Sequence, residues 1–267
     1  LCKGSNRDIS HEILGKKTGL PFGIAPMGMC NLSNPKADKF IAKIGPKHNV
    51  PVCFSTMAST SMEKTFKISG DHGWFQLYVY DNPDDGLKMA KRAQLTGYKT
   101  LVLTVDVPDL GRRPRELRHN FSVPWWPSFS QFFDCALHPK WSLAMLTSGN
   151  YLGPENFKGM PPFRRDRPRA GADWEFLERL RKQWKGNLIV KGILDPNDAV
   201  KIKSFGVDAV YVSGHGARQL DSLPAPITQL PKIRRILGSD YPIIFDTGIR
   251  NGEDVVKAYA SGASFVM

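Results

Sequence analysis

The sequence has few of the features that mark disulfide-rich, zinc-binding or membrane-spanning proteins. Its 267 residues include only four cysteines, Cys2, Cys30, Cys53 and Cys135, which are scattered and form no C-x-x-C pair. This usage is typical of reduced thiols in a cytosolic protein and argues against a disulfide framework or a zinc site. No apolar run reaches ~18 residues, so the sequence does not predict a membrane-spanning helix.

Acidic residues are also scarce relative to basic ones. The chain has 25 Asp and Glu against 37 Lys and Arg, which gives a net charge of +12 and a pI of about 9.6. Such an excess of positive charge is compatible with binding to nucleic acid, to an anionic membrane surface or to acidic ligands. No RRM-like signature, helix-turn-helix or finger spacing is present, so we predict no nucleic-acid partner.

A third absence bears on the fold. No G-x-G-x-x-G follows the first predicted strand, which weakens the case for a doubly wound sheet that binds a dinucleotide. Eight short apolar strands instead alternate with helical segments at the ~20–35-residue period of βα units, and such strands are typical of parallel sheets. The pattern predicts a single (β/α)8 TIM barrel over 1–267, with a doubly wound sheet as the rival. The predicted strands cover residues 21–28, 50–54, 74–80, 100–107, 188–190, 209–212, 242–245 and 263–267.

A long insertion, residues 108–173, interrupts this rhythm after the fourth strand. Structureless segments of this length are uncommon and are often functional. Aromatic residues beside arginines favour a segment that lies in a membrane interface, whereas a lid on the barrel mouth would bury the same rings. Both interpretations stay open. The residues concerned are Trp125, Trp126, Phe129, Phe132, Phe133, Arg164, Arg165, Arg167 and Arg169.

The stretch 210–221, V-Y-V-S-G-H-G-A-R-Q-L-D, places His215 and Arg218 just after the sixth strand. A histidine in a polar turn is usually structural. Here the other strands also end in polar residues, and the carboxyl ends of barrel strands form one face where ligands bind. We therefore predict that one site collects Ser55, Gln76, Tyr78, Thr104, Asp106, Arg113, Lys191, Ser213, His215, Arg218, Asp246 and Arg250.

The residue types in this set point to an anionic substrate. Two arginines suit a carboxylate, because guanidinium groups bind it with two parallel hydrogen bonds. An aspartate bonded to the histidine would fix its tautomer, and Lys191 could balance negative charge on a cofactor. The loop 246–250 lies where barrels often bind phosphate. These residues alone do not select flavin over other phosphorylated cofactors. An isomerase or aldolase with Lys191 as a Schiff-base amine is a weaker alternative, because it has no need of paired arginines.

Several motifs in the right order resemble the FMN-dependent α-hydroxy-acid dehydrogenase/oxidase family. The S-x-H-G-x-R-Q-L-D block is the most specific of them, and stretches 138–141 and 191–196 are most similar to bacterial membrane-associated L-lactate dehydrogenases. The matching stretches are I-A-P-M-G at 24–28, F-S-T-M-A-S at 54–59, F-Q-L-Y-V-Y at 75–80, L-T-V-D-V-P at 103–108, L-G-R-R at 110–113, V-K-G-I-L at 190–194, S-G-H-G-A-R-Q-L-D at 213–221 and F-D-T-G-I-R-N-G at 245–252.

The resemblance implies the role of each matching residue. His215 would be the base, Asp106 its partner and Tyr78 a ligand of the substrate oxygen. Arg113 and Arg218 would hold the substrate carboxylate, and Lys191 would stabilise reduced flavin. The remaining implied FMN contacts are Ala25, Pro26, Met27, Ser55, Gln76, Thr104 and Ser213, with Asp246, Gly248 and Arg250 at the ribityl-phosphate end.

The same resemblance implies oxidation of an L-2-hydroxy acid, with L-lactate the expected substrate, and transfer of electrons to a quinone, a cytochrome or oxygen. It also implies a homotetramer and a cytoplasmic protein that is peripheral on the inner face of the cell membrane. Met57 and the insertion are expected to shape substrate choice.

Two departures from the family weigh against full activity. Gly214 stands where the family usually has Asn, which adds backbone freedom beside His215. The family's N-terminal region and the Gly-Arg pair expected beyond Met267 are absent, so we expect a fragment that binds FMN poorly. A truncated, non-catalytic anion-binding barrel is therefore the alternative.

Overall fold

Eight parallel strands form the central sheet of the computed structural model, which describes residues 8–80, 82–109, 111, 114, 118–119, 128–148, 153–159 and 170–267. Each strand pairs with the next in chain order, and a parallel bridge between Phe22 and Val266 brings the last strand back to the first. This confirms the predicted (β/α)8 barrel. The strands are β3 Ile24–Met27, β4 Val52–Ser55, β5 Gly73–Leu77, β6 Thr100–Thr104, β7 Asn187–Lys191, β8 Ala209–Val212, β9 Ile243–Phe245 and β10 Phe265–Val266.

A short antiparallel hairpin precedes the barrel and was not predicted. Its strands are β1 His11–Ile13 and β2 Lys16–Thr18, joined by Leu14 and Gly15, which both have positive φ. Two-residue turns of this kind match the twist of a hairpin, but Leu-Gly lacks the usual Asn-Gly signal. Ile13 is buried against the apolar residues of the barrel interior, so the hairpin packs against that interior.

Helices follow the strands, and several of them begin at a residue whose side chain accepts a free N–H group of the first turn. Asn82, Asp173, Asp195 and Asn251 each accept such a bond, as helix N-caps do. Within the described ranges, 3-10 turns cover Gly70–His72, Glu155–Phe157 and His215–Arg218. The helices are α1 Cys30–Ser33, α2 Ala37–His48, α3 Met62–Ser69, α4 Pro83–Thr96, α5 Phe129–Leu137, α6 Pro139–Ser148, α7 Trp174–Gln183, α8 Pro196–Ser204, α9 Pro226–Leu237 and α10 Gly252–Ala260.

Two strands end three residues earlier than the sequence predicts. The apolar pattern extends the third and fourth barrel strands to residues 80 and 107, but β5 ends at Leu77 and β6 at Thr104. Val79 and Val107 are buried outside the strands, which explains the misleading pattern. Tyr78 and Asp106 therefore lie in loops, at the carboxyl ends of their strands.

Apolar side chains form two cores, as expected for this architecture. One fills the barrel and includes Trp74, Ile189, Tyr211 and Phe265. The other lies between the strands and the surrounding helices, where Phe176 and Trp184 are almost fully buried.

The described part of the insertion contains the helices α5 and α6, which the sequence analysis did not predict. A signal was present, because Ser128 and Gln131 form a capping box at the start of α5. Trp125, Trp126, Arg164, Arg165, Arg167 and Arg169 lie outside the described residues.

The 3-10 turn Glu155–Phe157 ties the insertion to the loop after β4. Asn156 is fully buried, and its side chain accepts from the Met62 N–H at 2.7 Å and donates to the Ser55 and Thr56 carbonyls at 3.3 and 3.2 Å. Glu155 accepts from the Ser61 N–H at 2.9 Å. This turn therefore fixes the loop that leaves the end of β4.

We expect Asn156→Ala to lower the free energy of unfolding by about 2–4 kcal/mol, because it removes the partner of the buried Met62 N–H and of the Thr56 carbonyl. The Ser55 carbonyl loses one bond but still accepts from the Ala58 N–H at 2.9 Å. Urea denaturation measures the change. Asn197→Ala is the matched control, because Asn197 is exposed in the first turn of α8, and it should change the value by less than ~0.5 kcal/mol. Equal effects of the two substitutions would contradict this role of Asn156.

Candidate active site

A tyrosine, a histidine and an aspartate from three separate loops form a hydrogen-bonded chain at the barrel mouth. His215 Nδ1 lies 2.8 Å from Asp106 Oδ1, and His215 Nε2 lies 3.2 Å from the Tyr78 hydroxyl oxygen. The second carboxylate oxygen of Asp106 accepts from the Gly216 N–H at 2.8 Å. Asp106 is thus held at both oxygens, and it orients the imidazole so that Nε2 faces Tyr78.

Two glycines make room for Asp106. A β-carbon built on Gly192 would lie 2.4 Å from the Asp106 side chain, and one on Gly216 would lie 2.9 Å from the Asp106 carbonyl oxygen. Both distances are closer than a real β-carbon tolerates, and Gly192 also has a φ of +101°. The K-G and H-G pairs of the sequence therefore serve a packing purpose that the motifs alone did not reveal.

A buried lysine lies at the end of β7. Lys191 is 4% exposed, its ammonium group lies 2.9 Å from Asp246 Oδ2, and it donates to Ser213 Oγ at 2.5 Å. Ser213 Oγ also accepts from the His215 N–H at 3.2 Å. A buried ammonium group requires such partners, because desolvation of an unpaired charge is costly. Lys191, Ser213 and His215 therefore belong to one network.

Tyr211 lies below this network, with its ring centroid 4.7 Å from the Lys191 ammonium nitrogen. Burial raises the pKa of the Tyr211 hydroxyl, and the negative charge of Asp246 raises it further. Burial likewise raises the pKa of the Cys53 thiol. Both groups are therefore neutral at physiological pH, which leaves the lysine–aspartate pair to set the charge at this end of the barrel.

Three polar side chains line the ends of β4, β5 and β6. Ser55 Oγ donates to Gln76 Oε1 at 2.7 Å, which turns the amide nitrogen of Gln76 away from Ser55. The Gln76 Nε2 and Thr104 Oγ1 atoms are buried and have no hydrogen-bond partner in the described part of the chain. Buried polar atoms without a partner are rare in folded proteins and suggest a ligand that supplies one.

The other predicted residues lie at the same mouth but are less enclosed. Ala25, Pro26 and Met27 belong to β3, and the Met27 side chain is about half exposed. Gly248 and Arg250 lie in the loop after β9, where the Arg250 N–H donates to Asp254 Oδ2 at 3.0 Å and the Arg250 side chain is exposed.

Of the two residues predicted to bind the substrate carboxylate, Arg218 lies within the described residues and Arg113 does not. Arg218 ends the 3-10 turn that begins at His215 and is exposed. Gly111 packs on it so closely that an added β-carbon would lie 2.2 Å from the Arg218 carbonyl oxygen. Arg113 lies outside the described residues.

Sequence reasoning missed contacts that shape the mouth. The Tyr80 hydroxyl donates to the Met57 sulfur at 3.1 Å, so Tyr80 supports the residue that was expected to influence substrate choice. Thr247 Oγ1 accepts from the Gly214 N–H at 2.9 Å. Neither contact has a sequence signal, because each joins loops that are distant in the chain.

Comparison with known proteins explains the arrangement. Residues 1–267 match the FMN-dependent dehydrogenase family. The chain is 34% identical to (S)-mandelate dehydrogenase from Pseudomonas putida, over all of the chain and 69% of that protein. It is 33% identical to a putative L-lactate dehydrogenase from Mycobacterium tuberculosis, over 98% of the chain and 63% of that protein. It is also 34% identical to a peroxisomal (S)-2-hydroxyacid oxidase from Arabidopsis thaliana, over all of the chain and 69% of that protein.

Solved structures agree with this grouping. The crystal structure of the monotopic membrane protein (S)-mandelate dehydrogenase superposes with a TM-score of 0.89 at 35% identity, over all of this chain and 73% of the other. A mandelate oxidase with benzoylformic acid gives a TM-score of 0.82 at 30% identity, over all of this chain and 69% of the other. The match confirms the family and the cofactor that the sequence motifs indicate. The chain belongs to the FMN-dependent dehydrogenase family, whose members are oxidoreductases that share this barrel and use FMN.

Proposed function

We propose that this protein oxidises an L-2-hydroxy acid to the 2-oxo acid, with FMN as the electron acceptor in the first half of the reaction. The observation that carries the proposal is the Tyr78–His215–Asp106 chain at the same barrel mouth as the buried Lys191. The names of the relatives support the substrate class. The chain spans 69% and 63% of the first two relatives, so the activity belongs to the full-length protein.

The residues at the strand ends fit FMN. Gln76 Nε2 and Thr104 Oγ1 are buried polar groups without partners in the described residues, and the flavin ring offers carbonyl and nitrogen acceptors. Ser55, Gln76, Thr104, Ser213 and Lys191 would hold the ring. The remaining FMN contacts would come from Ala25, Pro26 and Met27, with Asp246, Gly248 and Arg250 toward the ribityl phosphate. When bound, FMN supplies a two-electron acceptor.

His215 would act as the base. Because Asp106 binds Nδ1, the other ring nitrogen, Nε2, faces the Tyr78 hydroxyl and is the one that can take a proton from the substrate. The carboxylate of Asp106 stabilises the imidazolium that results. The proton comes from the substrate α-carbon or from its hydroxyl group, and the position of His215 serves either route.

The substrate would be oriented by its carboxylate and its oxygen. Arg218 ends the turn that begins at His215, so a guanidinium group lies three residues after the base in the chain. Arg113, outside the described residues, is the second proposed carboxylate ligand. The Tyr78 hydroxyl would bind the substrate oxygen.

L-lactate is the substrate that we propose, with a quinone, a cytochrome or oxygen as the final electron acceptor. Met57 is buried at the mouth and held by Tyr80, which supports a part for Met57 in substrate choice. The alternative, a non-catalytic anion-binding barrel, predicts that no 2-hydroxy acid reduces bound FMN.

The substitution His215→Gln tests the role of the base. We expect it to slow reduction of bound FMN by L-lactate ~10²–10⁴-fold, the usual contribution of a general base. Stopped-flow absorbance of the flavin measures the rate, and FMN fluorescence measures affinity, which should stay within ~3-fold because the imidazole binds substrate rather than cofactor.

His48→Gln is the control for this test, because His48 is exposed at the end of α2. A loss well below tenfold in His215→Gln would contradict the assignment. A wild-type protein that no 2-hydroxy acid reduces would favour the anion-binding alternative.

The substitution Thr104→Val tests the cofactor contact. We expect FMN affinity to fall ~10-fold, while the apo-protein gains ~1 kcal/mol because a buried hydroxyl without a partner is removed. Fluorescence titration and thermal unfolding measure the two effects. Thr100→Val on the same strand is the control, since Thr100 accepts from Asn187 at 3.5 Å, and it should leave FMN affinity unchanged. An unchanged affinity in Thr104→Val would remove that residue from the FMN site.

We further propose that the protein is peripheral on the cytoplasmic face of a membrane, and that the α5–α6 surface makes the contact. This surface consists of side chains that are 54–82% exposed: Phe129, Phe132, Phe133, Leu137, Leu143 and Leu146. The four on α5 follow helical spacing and share one face. An exposed apolar cluster of this kind typically marks an interaction site.

Exposure of these rings favours membrane contact over a lid, because a lid would bury them against the barrel mouth. Trp141 donates to the Leu32 carbonyl at 3.2 Å and so attaches α6 to the barrel. Among the helices that the structure describes, none has the length and apolar character needed to cross a bilayer. The monotopic (S)-mandelate dehydrogenase and the net charge of +12 support attachment to an anionic surface.

Vesicle co-sedimentation tests the surface. We expect binding to phosphatidylglycerol-containing vesicles and a loss of at least ~10-fold in Phe129→Ser/Phe133→Ser, because two exposed rings no longer enter the interface. Leu95→Ser, an exposed apolar residue on α4, is the control and should bind as the wild type does. Unchanged binding of the double variant would contradict the membrane proposal. The expected homotetramer stays a prediction that light scattering checks.

A further inference from the structure

Thr247 joins two loops at the barrel mouth that lie 33 residues apart in the chain. Its hydroxyl accepts from the Gly214 N–H at 2.9 Å and donates to Asp246 Oδ1 at 2.9 Å. The first loop carries His215 and the second carries the carboxylate that pairs with Lys191. The Thr247 side chain therefore contacts both Gly214, the residue before His215, and Asp246, the partner of Lys191.

The backbone at Thr247 is unusual for its residue type. Its φ is +84°, and a β-branched residue in that region is a strong outlier. Such a conformation is strained and persists where the surroundings enforce it, often at functional sites. The two hydrogen bonds of the hydroxyl supply that enforcement.

Thr247 also occupies space beside Gly214. A β-carbon built on Gly214 would lie 3.0 Å from Thr247 Cγ2 and 3.0 Å from Pro226 Cγ. Residue 214 is thus confined by the Thr247 methyl group and by Pro226, although it lacks a side chain of its own. The Ser213 hydroxyl holds the next N–H, that of His215. Together these contacts restrict the freedom that a glycine beside the base would otherwise have.

The hydrogen bonds form a closed ring across the ends of β7, β8 and β9. Asp246 Oδ2 pairs with Lys191, and Lys191 donates to Ser213 Oγ. Ser213 is bonded in the chain to Gly214, whose N–H donates to Thr247. Thr247 completes this ring. Its loss would leave the Gly214 N–H without this acceptor and would free one oxygen of Asp246.

We propose that Thr247 is a positioning residue that holds the His215 loop and the Lys191–Asp246 pair in one arrangement. The inference rests on the proposed function for its catalytic consequence, and on geometry alone for the coupling between residues 214 and 247. Thr247 acts through its neighbours, so its hydroxyl should affect the rate of flavin reduction more than the binding of substrate.

Two variants of Thr247 separate its hydroxyl from its shape. Thr247→Val keeps the β-branched shape and removes the hydroxyl, and Thr247→Ser keeps the hydroxyl. In the full-length protein loaded with FMN, we expect Thr247→Val to lower the limiting rate of flavin reduction by L-lactate ~10-fold, with KM within ~2-fold. Thr247→Ser should restore the rate to within ~3-fold of wild type. A Thr247→Val rate equal to wild type, or a Thr247→Ser rate as low as that of Thr247→Val, would overturn the proposal.

A second measurement needs no flavin. In the apo-protein, Gly214→Asn should lower the thermal unfolding midpoint, because the new side chain meets Thr247 and Pro226. Adding Thr247→Gly should recover part of that loss, so the two changes are non-additive in a double-mutant cycle. Additive changes would overturn the coupling. If no 2-hydroxy acid reduces the wild-type flavin, the proposed function fails, and the apo cycle still decides whether residues 214 and 247 are coupled.

Discussion

The buried ion pair between Lys191 and Asp246 is the interaction on which the site depends. A charged ammonium group at the end of a barrel strand is stable only if an anion and further acceptors lie beside it. Asp246 and Ser213 provide them, from the ends of two neighbouring strands. Because Ser213 also accepts from the His215 N–H, the requirement for charge pairing at Lys191 fixes the backbone that carries the proposed base. Ser213 therefore both solvates the buried Lys191 ammonium group and positions the backbone of the proposed base.

The parallel barrel explains how these residues meet. Register places Thr104 opposite Lys191 and Lys191 opposite Tyr211, so neighbouring strands end at a common level. Each strand then delivers a polar group to one mouth, while the layers below are filled by apolar side chains. A ligand at this mouth would lie above packed apolar side chains, and this low-dielectric surrounding strengthens the field of the buried Lys191–Asp246 pair.

The insertion contributes to the site from outside the barrel. Its 3-10 turn places the buried Asn156 amide against the loop after β4, which contains Met57. Its helices α5 and α6 present exposed apolar side chains elsewhere on the surface. One inserted segment thus both braces the proposed substrate pocket and supplies the proposed membrane contact.

The amino-acid sequence by itself determined the barrel, the family and the set of polar residues at the strand ends. The recurrence of βα units, the apolar runs and the ordered motifs can all be read from local stretches of sequence. The assignment of FMN rests on the motifs, because the chemistry of single residues does not select that cofactor. The family resemblance already implies the pairing of Asp106 with His215, but the tertiary structure alone decided how these residues pack together. Gly192 and Gly216 leave room for Asp106 beside the histidine, and Thr247 meets Gly214 across 33 residues of chain. Such contacts depend on where strands stop and which way loops turn, and both are set by packing between distant segments, which no local pattern records.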